Sequence, residues 1–206
     1  MLAKFTVEEF MEELSKGTPM PGGGSVAAMS GSAAANLIAM VCNLTVGKKG
    51  YESVWDELHA IAENAVSAGK ELLDGMDADA QAYQNVVNCF KLPKGTEAEA
   101  QARAEAIQTE TKKAAAVPLH TAELAMHLFD WAETVVEKGN RNAVSDGAIA
   151  AMLAKNSVWS ALYNVEINAV LLKDENERER LLRRSGELRE QSASREEAVL
   201  ALVQFR

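Results

Sequence analysis

Apolar residues recur at intervals of three and four along most of the chain and almost nowhere in strict alternation. A period near 3.6 predicts amphipathic helices, whereas a half-buried strand needs a period of two. Val54, Leu58, Ile61, Ala65, Ala68 and Leu72 keep one such face, so the spacing predicts a helix from about Glu52 to Leu73. Thr6-Val-Glu-Glu9 and Thr96-Glu-Ala-Glu99 are capping boxes, each a threonine followed three residues later by glutamate. The first opens a short helix that ends near Lys16-Gly17. The second opens a long Ala/Glu/Gln-rich helix, which Pro118 should kink or restart before it stops near Gly139. Between them, DADAQAYQNVVNCFKLPKG reads as a separate helix starting at Asp77 and ended by Leu92-Pro93. The stretch GNRNAVSDGAIAA turns into another helix, capped by Asn142 or Ser145 and running to about Leu172. A charged helix from Glu175, broken or loosened near Gly186, finishes at Phe205. No repeat and no linker interrupts the pattern. It predicts one all-α domain over residues 1–206, a helical bundle of about seven to nine helices.

One segment departs from the amphipathic rule. From Ser25 to Val46 no residue is charged, a length that could cross a bilayer. Ser25, Ser30, Ser32, Asn36, Asn43 and Thr45 punctuate it, and no large aliphatic block forms. A buried central helix of small residues, stopped around Gly47–Gly50, is the expectation, and no membrane association. The run before it, PMPGGGSVAA from Pro19, concentrates structure breakers. Proline fixes φ, glycine permits positive φ, and Ser25 can cap the helix that follows. Such a loop can present bare backbone N–H groups to a ligand, or can simply connect two crowded helices. It is not a phosphate-binding P-loop: no GxxxxGK[ST] occurs and no strand precedes it.

Composition narrows the class. At 206 residues, 48% hydrophobic and 5% aromatic, the chain can bury a core and has little material for sheet. A net charge of −9 argues against nucleic-acid binding, which needs a basic footprint. Cys42 and Cys89 lie in apolar helical contexts and are expected reduced and buried; the opening MLAKFTVEEF turns acidic at once and does not read as a signal peptide. The expectation is a cytoplasmic protein.

Four clusters carry candidate chemistry. Asp77 and Asp79 sit in what reads as a helix's first turn, where they could complement the dipole; two residues apart, they face different ways, and one could serve proton transfer. Lys48 and Lys49 follow the small-residue helix and could complement its dipole or bind an anionic tail. Asn140, Asn142, Ser145 and Asp146 are turn and cap residues that could equally hydrogen-bond a heterocycle. His120, Glu123 and His127 share roughly one helix face, but no second set of ligand-type residues repeats the pattern, so no metal is expected. ERERLLRRSGELRE reads as a solvated helix face.

Three of these stretches, TPMPGGGSVAA…NLTVGKK, DADAQAYQNVVNCFKLPKG and GNRNAVSDGAIAA…NVEIN, occur in an order and spacing that resembles the formiminotransferase-cyclodeaminase C-terminal domain family. That family includes stand-alone formimidoyltetrahydrofolate cyclodeaminases and methenyltetrahydrofolate cyclohydrolases. The resemblance covers about Phe5 to Ala201. It implies an all-helical fold that dimerises through its helices. It also implies a reduced folate substrate, often polyglutamylated, no further cofactor, and a possible separate formiminotransferase as partner. By resemblance, Pro21, Gly22, Gly23, Gly24 and Ser25 line the folate site, and Asp79 is catalytic with Asp77 in support. Asn140, Asn142, Ser145 and Asp146 form a second wall, and Lys48 and Lys49 meet the glutamate tail. The competing reading is a non-catalytic helical dimer that binds a folate-like ligand or a protein partner.

Overall fold

The computed structural model describes residues 1–205. Six α-helices carry the chain: α1 (Val7–Leu14), α2 (Gly23–Asn43), α3 (Trp55–Phe90), α4 (Glu97–Lys138), α5 (Val144–Ala169) and α6 (Glu175–Ala201). Three short 3-10 turns, Leu2–Lys4, Glu52–Val54 and Arg141–Ala143, lead into neighbouring helices. No strand occurs among the described residues. Both capping boxes form as the spacing predicts, at Thr6–Glu9 and Thr96–Glu99. After α2 the chain turns through Gly47 and Gly50, whose φ values of 80° and 91° suit residues without Cβ.

The α-helices are fewer and longer than the sequence suggests, because three expected breaks are bridged. α3 runs unbroken past Gly75 to Phe90. A Cβ on Gly75 would lie 3.6 Å from the Ala28 Cβ of α2, so this low-propensity residue sits where two helices touch, and packing overrides propensity. Pro118 lies inside α4 and is buried. It has no N–H to give the Ala114 carbonyl one turn earlier, and that carbonyl instead accepts from Asn168 Nδ2 at 3.3 Å. Gly186 faces open space, and α6 continues through it because Leu181, Ser185, Leu188 and Ser192 bury one face.

Helices α3, α2, α5 and α6 neighbour one another in that order, and α4 touches all four. α2 is therefore central. It is apolar and long enough to cross a membrane by length and composition, yet here it lies against α3, α4 and α5. It runs antiparallel to α5: Ser157 Oγ donates to the Ala27 carbonyl (2.8 Å), and Ser30 Oγ to that of Leu153 (3.2 Å). Fully buried Ala27, Ala34, Ala35, Ala150, Ala154 and Ala161 let the backbones come close. At Gly31 there is no room for a side chain: a Cβ would lie 2.7 Å from Ser157 Oγ. Phe129, Leu128 and Val135 of α4 fill the core beneath. Cys42 is buried, which pushes its thiol up to about 12, whereas Cys89 is only half-buried.

Candidate active site at the start of helix α2

A helix begins with N–H groups that no preceding turn can satisfy. At α2 the N-cap is Gly22, which has no side chain to accept them. The missing acceptor comes from another helix. Asp79 of α3 directs its carboxylate at this end, where it receives the Ser25 backbone N–H and the Ser25 Oγ at 3.4 Å. The approach is so close that a Cβ on Gly24 would lie 2.1 Å from Asp79 Oδ1. Glycine at 24 is thus a steric condition for the carboxylate's position. Ser25 is fully buried, and its hydroxyl also reaches the Met76 carbonyl at 3.2 Å.

Two opposing effects act on Asp79. Burial raises its pKa above the usual aspartate value, and the bonds from Ser25 pull it down. Burial is the larger, so the carboxyl holds its proton to higher pH than an exposed aspartate. It faces a cleft of about 490 Å³. Gly22, Gly23 and Gly24 form one end, Tyr83, Val86 and Phe90 of α3 a flank, and Asn164, Ile167, Asn168 and Leu171 at the end of α5 the other. Its size suits a small-molecule site, and its shape is a polar end opening into an apolar channel. A depression of about 560 Å³ between α4 and α6 is larger, but it is an open surface whose Asp130 and Arg195 are already paired.

The sequence-predicted residues divide. Gly22, Gly23, Gly24 and Asp79 meet at the cleft. Pro21, joined to Met20 by a cis peptide, is buried rather than a lining residue, and Ser25 lies beneath Asp79. Asp77 and Asp79 are not in a first turn; both lie deep within α3. Asp77 faces elsewhere. Its Oδ1 accepts the Leu2 N–H at 2.6 Å and lies 3.8 Å from the terminal amine, so it ties down the N-terminal turn.

Lys48, Lys49, Asn140, Asn142, Ser145 and Asp146 lie at the opposite end of α2, about 30 Å away at 1.5 Å rise per residue. The cause is the antiparallel pairing. The start of α5 lies beside the end of α2, so within one chain the second wall of the cleft comes from the last turns of α5 instead. Nor do Asn142 or Ser145 cap α5. Its N-cap is Ala143, and Asn140 caps the 3-10 turn before it by accepting the Asn142 N–H (3.1 Å). His120 pairs with Glu71 (2.7 Å) and Glu123 with Arg184 (2.9 Å).

Asn164, Asn168 and the apolar flank were not legible as site residues. The signal was present in NVEIN, two amides four residues apart and so on one helix face, but only the fold shows that this turn meets Gly23.

Comparison with known proteins adds to this geometry. The formiminotransferase-cyclodeaminase family profile matches residues 6–187. A methenyltetrahydrofolate cyclohydrolase of Methylorubrum extorquens is 40% identical over 174 residues, 84% of each chain. The formimidoyltransferase-cyclodeaminase of Rattus norvegicus is 29% identical across 98% of this chain, which spans 37% of that longer protein. The crystal structure of a formiminotetrahydrofolate cyclodeaminase from Thermotoga maritima superposes with a TM-score of 0.87, at 30% identity and 98% coverage of both chains.

Proposed function

The chain belongs to the formiminotransferase-cyclodeaminase family, and on that premise we propose that it is a cytoplasmic one-carbon enzyme acting on tetrahydrofolate at the carbon between N5 and N10. The reaction is either cyclodeamination of 5-formimidoyltetrahydrofolate or hydrolysis of 5,10-methenyltetrahydrofolate. The observation that carries the reading is Asp79, a carboxyl of raised pKa at the polar end of a cleft of about 490 Å³.

Both reactions pass through a tetrahedral carbon and need one proton carrier. In cyclodeamination N10 attacks the formimidoyl carbon and loses its proton, and the departing nitrogen gains one as ammonia leaves. In hydrolysis water adds to the methenyl carbon and loses a proton. The bond to N5 then opens as the new hydroxyl gives up its proton to become the formyl oxygen, N5 is protonated, and 10-formyltetrahydrofolate results. Asp79 is assigned the proton transfers in either case, and neither sequence calls for a cofactor beyond the folate. The test follows loss of methenyl absorbance above the spontaneous rate and, separately, methenyl and ammonia formation from 5-formimidoyltetrahydrofolate. Activity in the first alone identifies a cyclohydrolase and activity in the second a cyclodeaminase acting beside a separate formiminotransferase. Silence of folded protein in both overturns the enzymatic reading and leaves a ligand-binding helical module.

A homodimer belongs to the same reading. α2 has no charged residue, and beyond its first turn α5 has only Lys155 and Glu166, both paired with α6 residues. The outward surface shared by these helices is uncharged and includes exposed Met40, Leu44, Ile149 and Met152. Two adjacent helices about 30 Å long and 8–10 Å apart present roughly 600 Å² in projection, near the ~800 Å² per partner of a standard interface. If two copies pack with α2 antiparallel to α2, the Lys48–Asp146 end of one meets the cleft of the other, which is how those residues would reach the substrate. Light scattering tests the dimer. Replacing Lys48 and Lys49 should then weaken polyglutamate substrates more than monoglutamates; an equal effect removes the tail role.

A further inference from the structure

The side-chain amides of Asn164 and Asn168 have a shared peculiarity. Asn168 Nδ2 donates twice, to the Asn164 carbonyl at 2.8 Å and to the Ala114 carbonyl of α4 at 3.3 Å. Asn164 Nδ2 donates to the Ser160 carbonyl at 2.8 Å. Each amide nitrogen thereby donates to a backbone carbonyl, which fixes which atom is nitrogen and which is oxygen. Neither Oδ1 has a partner in the protein, and both residues line the cleft opposite the α3 flank. Each is a hydrogen-bond acceptor held in place with nothing yet to accept.

The Ala114 carbonyl is free to hold Asn168 for one reason. In an unbroken helix it would take the N–H of residue 118, and residue 118 is proline. A proline inside a 42-residue helix is costly in isolation. Here it exports a backbone acceptor from α4 to α5, at the wall of the cleft.

We infer that Asn164 and Asn168 read the donor edge of the substrate's heterocycle, with Pro118 as the positioning residue for Asn168. The inference rests on the folate reading above and deepens it. In a tetrahydropterin, N8–H and the exocyclic 2-amino group lie on one edge, separated by a single ring nitrogen. Side chains four residues apart on a helix stand about 5–6 Å apart, a comparable separation. Asn164 stands against Gly23, 3.6 Å from a Cβ placed there, and so lies at the Asp79 end. It takes N8–H, on the ring that bears N5. Asn168, one turn further on, takes the 2-amino group, which is the end of the pterin most remote from the reacting carbon.

The test measures dissociation constants of the full-length protein for tetrahydrofolate and for its 2-desamino-2-methyl analogue. A site built to bond a donor is left with an unpaired acceptor by an analogue that lacks it, so the wild type should prefer tetrahydrofolate by on the order of 10- to 10²-fold. Asn168→Ala should bring that preference close to one, mainly by weakening tetrahydrofolate. Pro118→Ala restores an N–H for the Ala114 carbonyl. It should raise KM several-fold, with kcat and its pH profile unchanged and no fall in melting temperature. A structural role alone would lower the melting temperature and leave KM. The inference is overturned if Asn168→Ala weakens both ligands equally, or if Pro118→Ala leaves KM where it was. If Asn168→Ala does not fold, Asn164→Ala, whose amide holds only its own helix, is tested with the 8-deaza analogue in the same way. Failure of the wild type to bind tetrahydrofolate at all is a different result, which removes the folate reading itself.

Discussion

At the C-terminal end of α2 the polar groups of Thr45 and Asn140 all have partners within the chain. Thr45 Oγ1 donates to the Val41 carbonyl (2.6 Å) and accepts the Asn140 N–H (2.9 Å). Asn140 Nδ2 reaches the Leu44 carbonyl (3.0 Å), and its Oδ1 accepts from both Lys48 Nζ (2.9 Å) and the Asn142 N–H. At the N-terminal end the groups are held but not used up. Asp79 accepts only from Ser25 over a long contact, burial keeps its pKa raised, and the acceptor oxygens of Asn164 and Asn168 have no protein partner. The same helix thus ends once in a closed network and once in an open one. The closed end stabilises the fold. The open end retains hydrogen-bonding and proton-carrying capacity for a ligand, at some cost in stability.

The difference can be broken from either side. Asp79→Asn keeps the shape of the open end and removes its titration. Turnover should fall by about 10²–10⁴, the usual contribution of a positioned acid–base group, while tetrahydrofolate binding changes little; unaltered turnover in a steady-state assay would remove the role. Gly24→Ala should be nearly as damaging, about 10²-fold in kcat, because the new Cβ takes the space of the carboxylate. Circular dichroism should show the helices intact.

At the closed end the currency is stability. Asn140→Ala leaves Lys48, the Leu44 carbonyl and the Asn142 N–H without their partner. It should cost about 2 kcal/mol, or roughly 4–8 °C in melting temperature for a domain of this size. A loss confined to activity would contradict the assignment of this network to the fold.

The smallest effect is the most informative about mechanism. The Ser25 bonds favour the ionised form of Asp79, so Ser25→Ala should move the acidic limb of the pH–rate profile to higher pH. Linkage gives a companion result. A carboxyl whose folded pKa is raised binds its proton more tightly in the folded state. Its stabilising contribution is therefore present below the unfolded pKa and is lost as pH rises through the folded one. Chemical denaturation should show wild type losing stability relative to Asp79→Asn across that interval, and a difference independent of pH would contradict it.

Much of this was legible in the sequence, and the exceptions share a cause. The capping boxes, the stop at Leu92-Pro93 and the buried character of α2 follow from local chemistry, and local chemistry predicted them. The continuity of α3 through Gly75 and of α4 through Pro118 depends on contacts with Ala28 and Asn168, which are remote in sequence. Gly24 and Asp79 were each recognisable as candidates. That one exists without a Cβ because of the other is a tertiary fact. Within one chain the expected wall of Asn140, Asn142, Ser145 and Asp146 lies at the other end of α2 for the same reason. Proximity to α2 in the fold depends on the direction of α5, and no local pattern encodes direction.

The most direct measurement is a ¹³C titration of the Asp79 carboxyl in aspartate-labelled protein, with Asp79→Asn used to assign the resonance. A carboxyl that remains protonated above the usual aspartate range is the predicted result, with a further upward move in Ser25→Ala. Titration at or below that range would mean that the open end of α2 is only a helix cap, and that the proton is carried by another group.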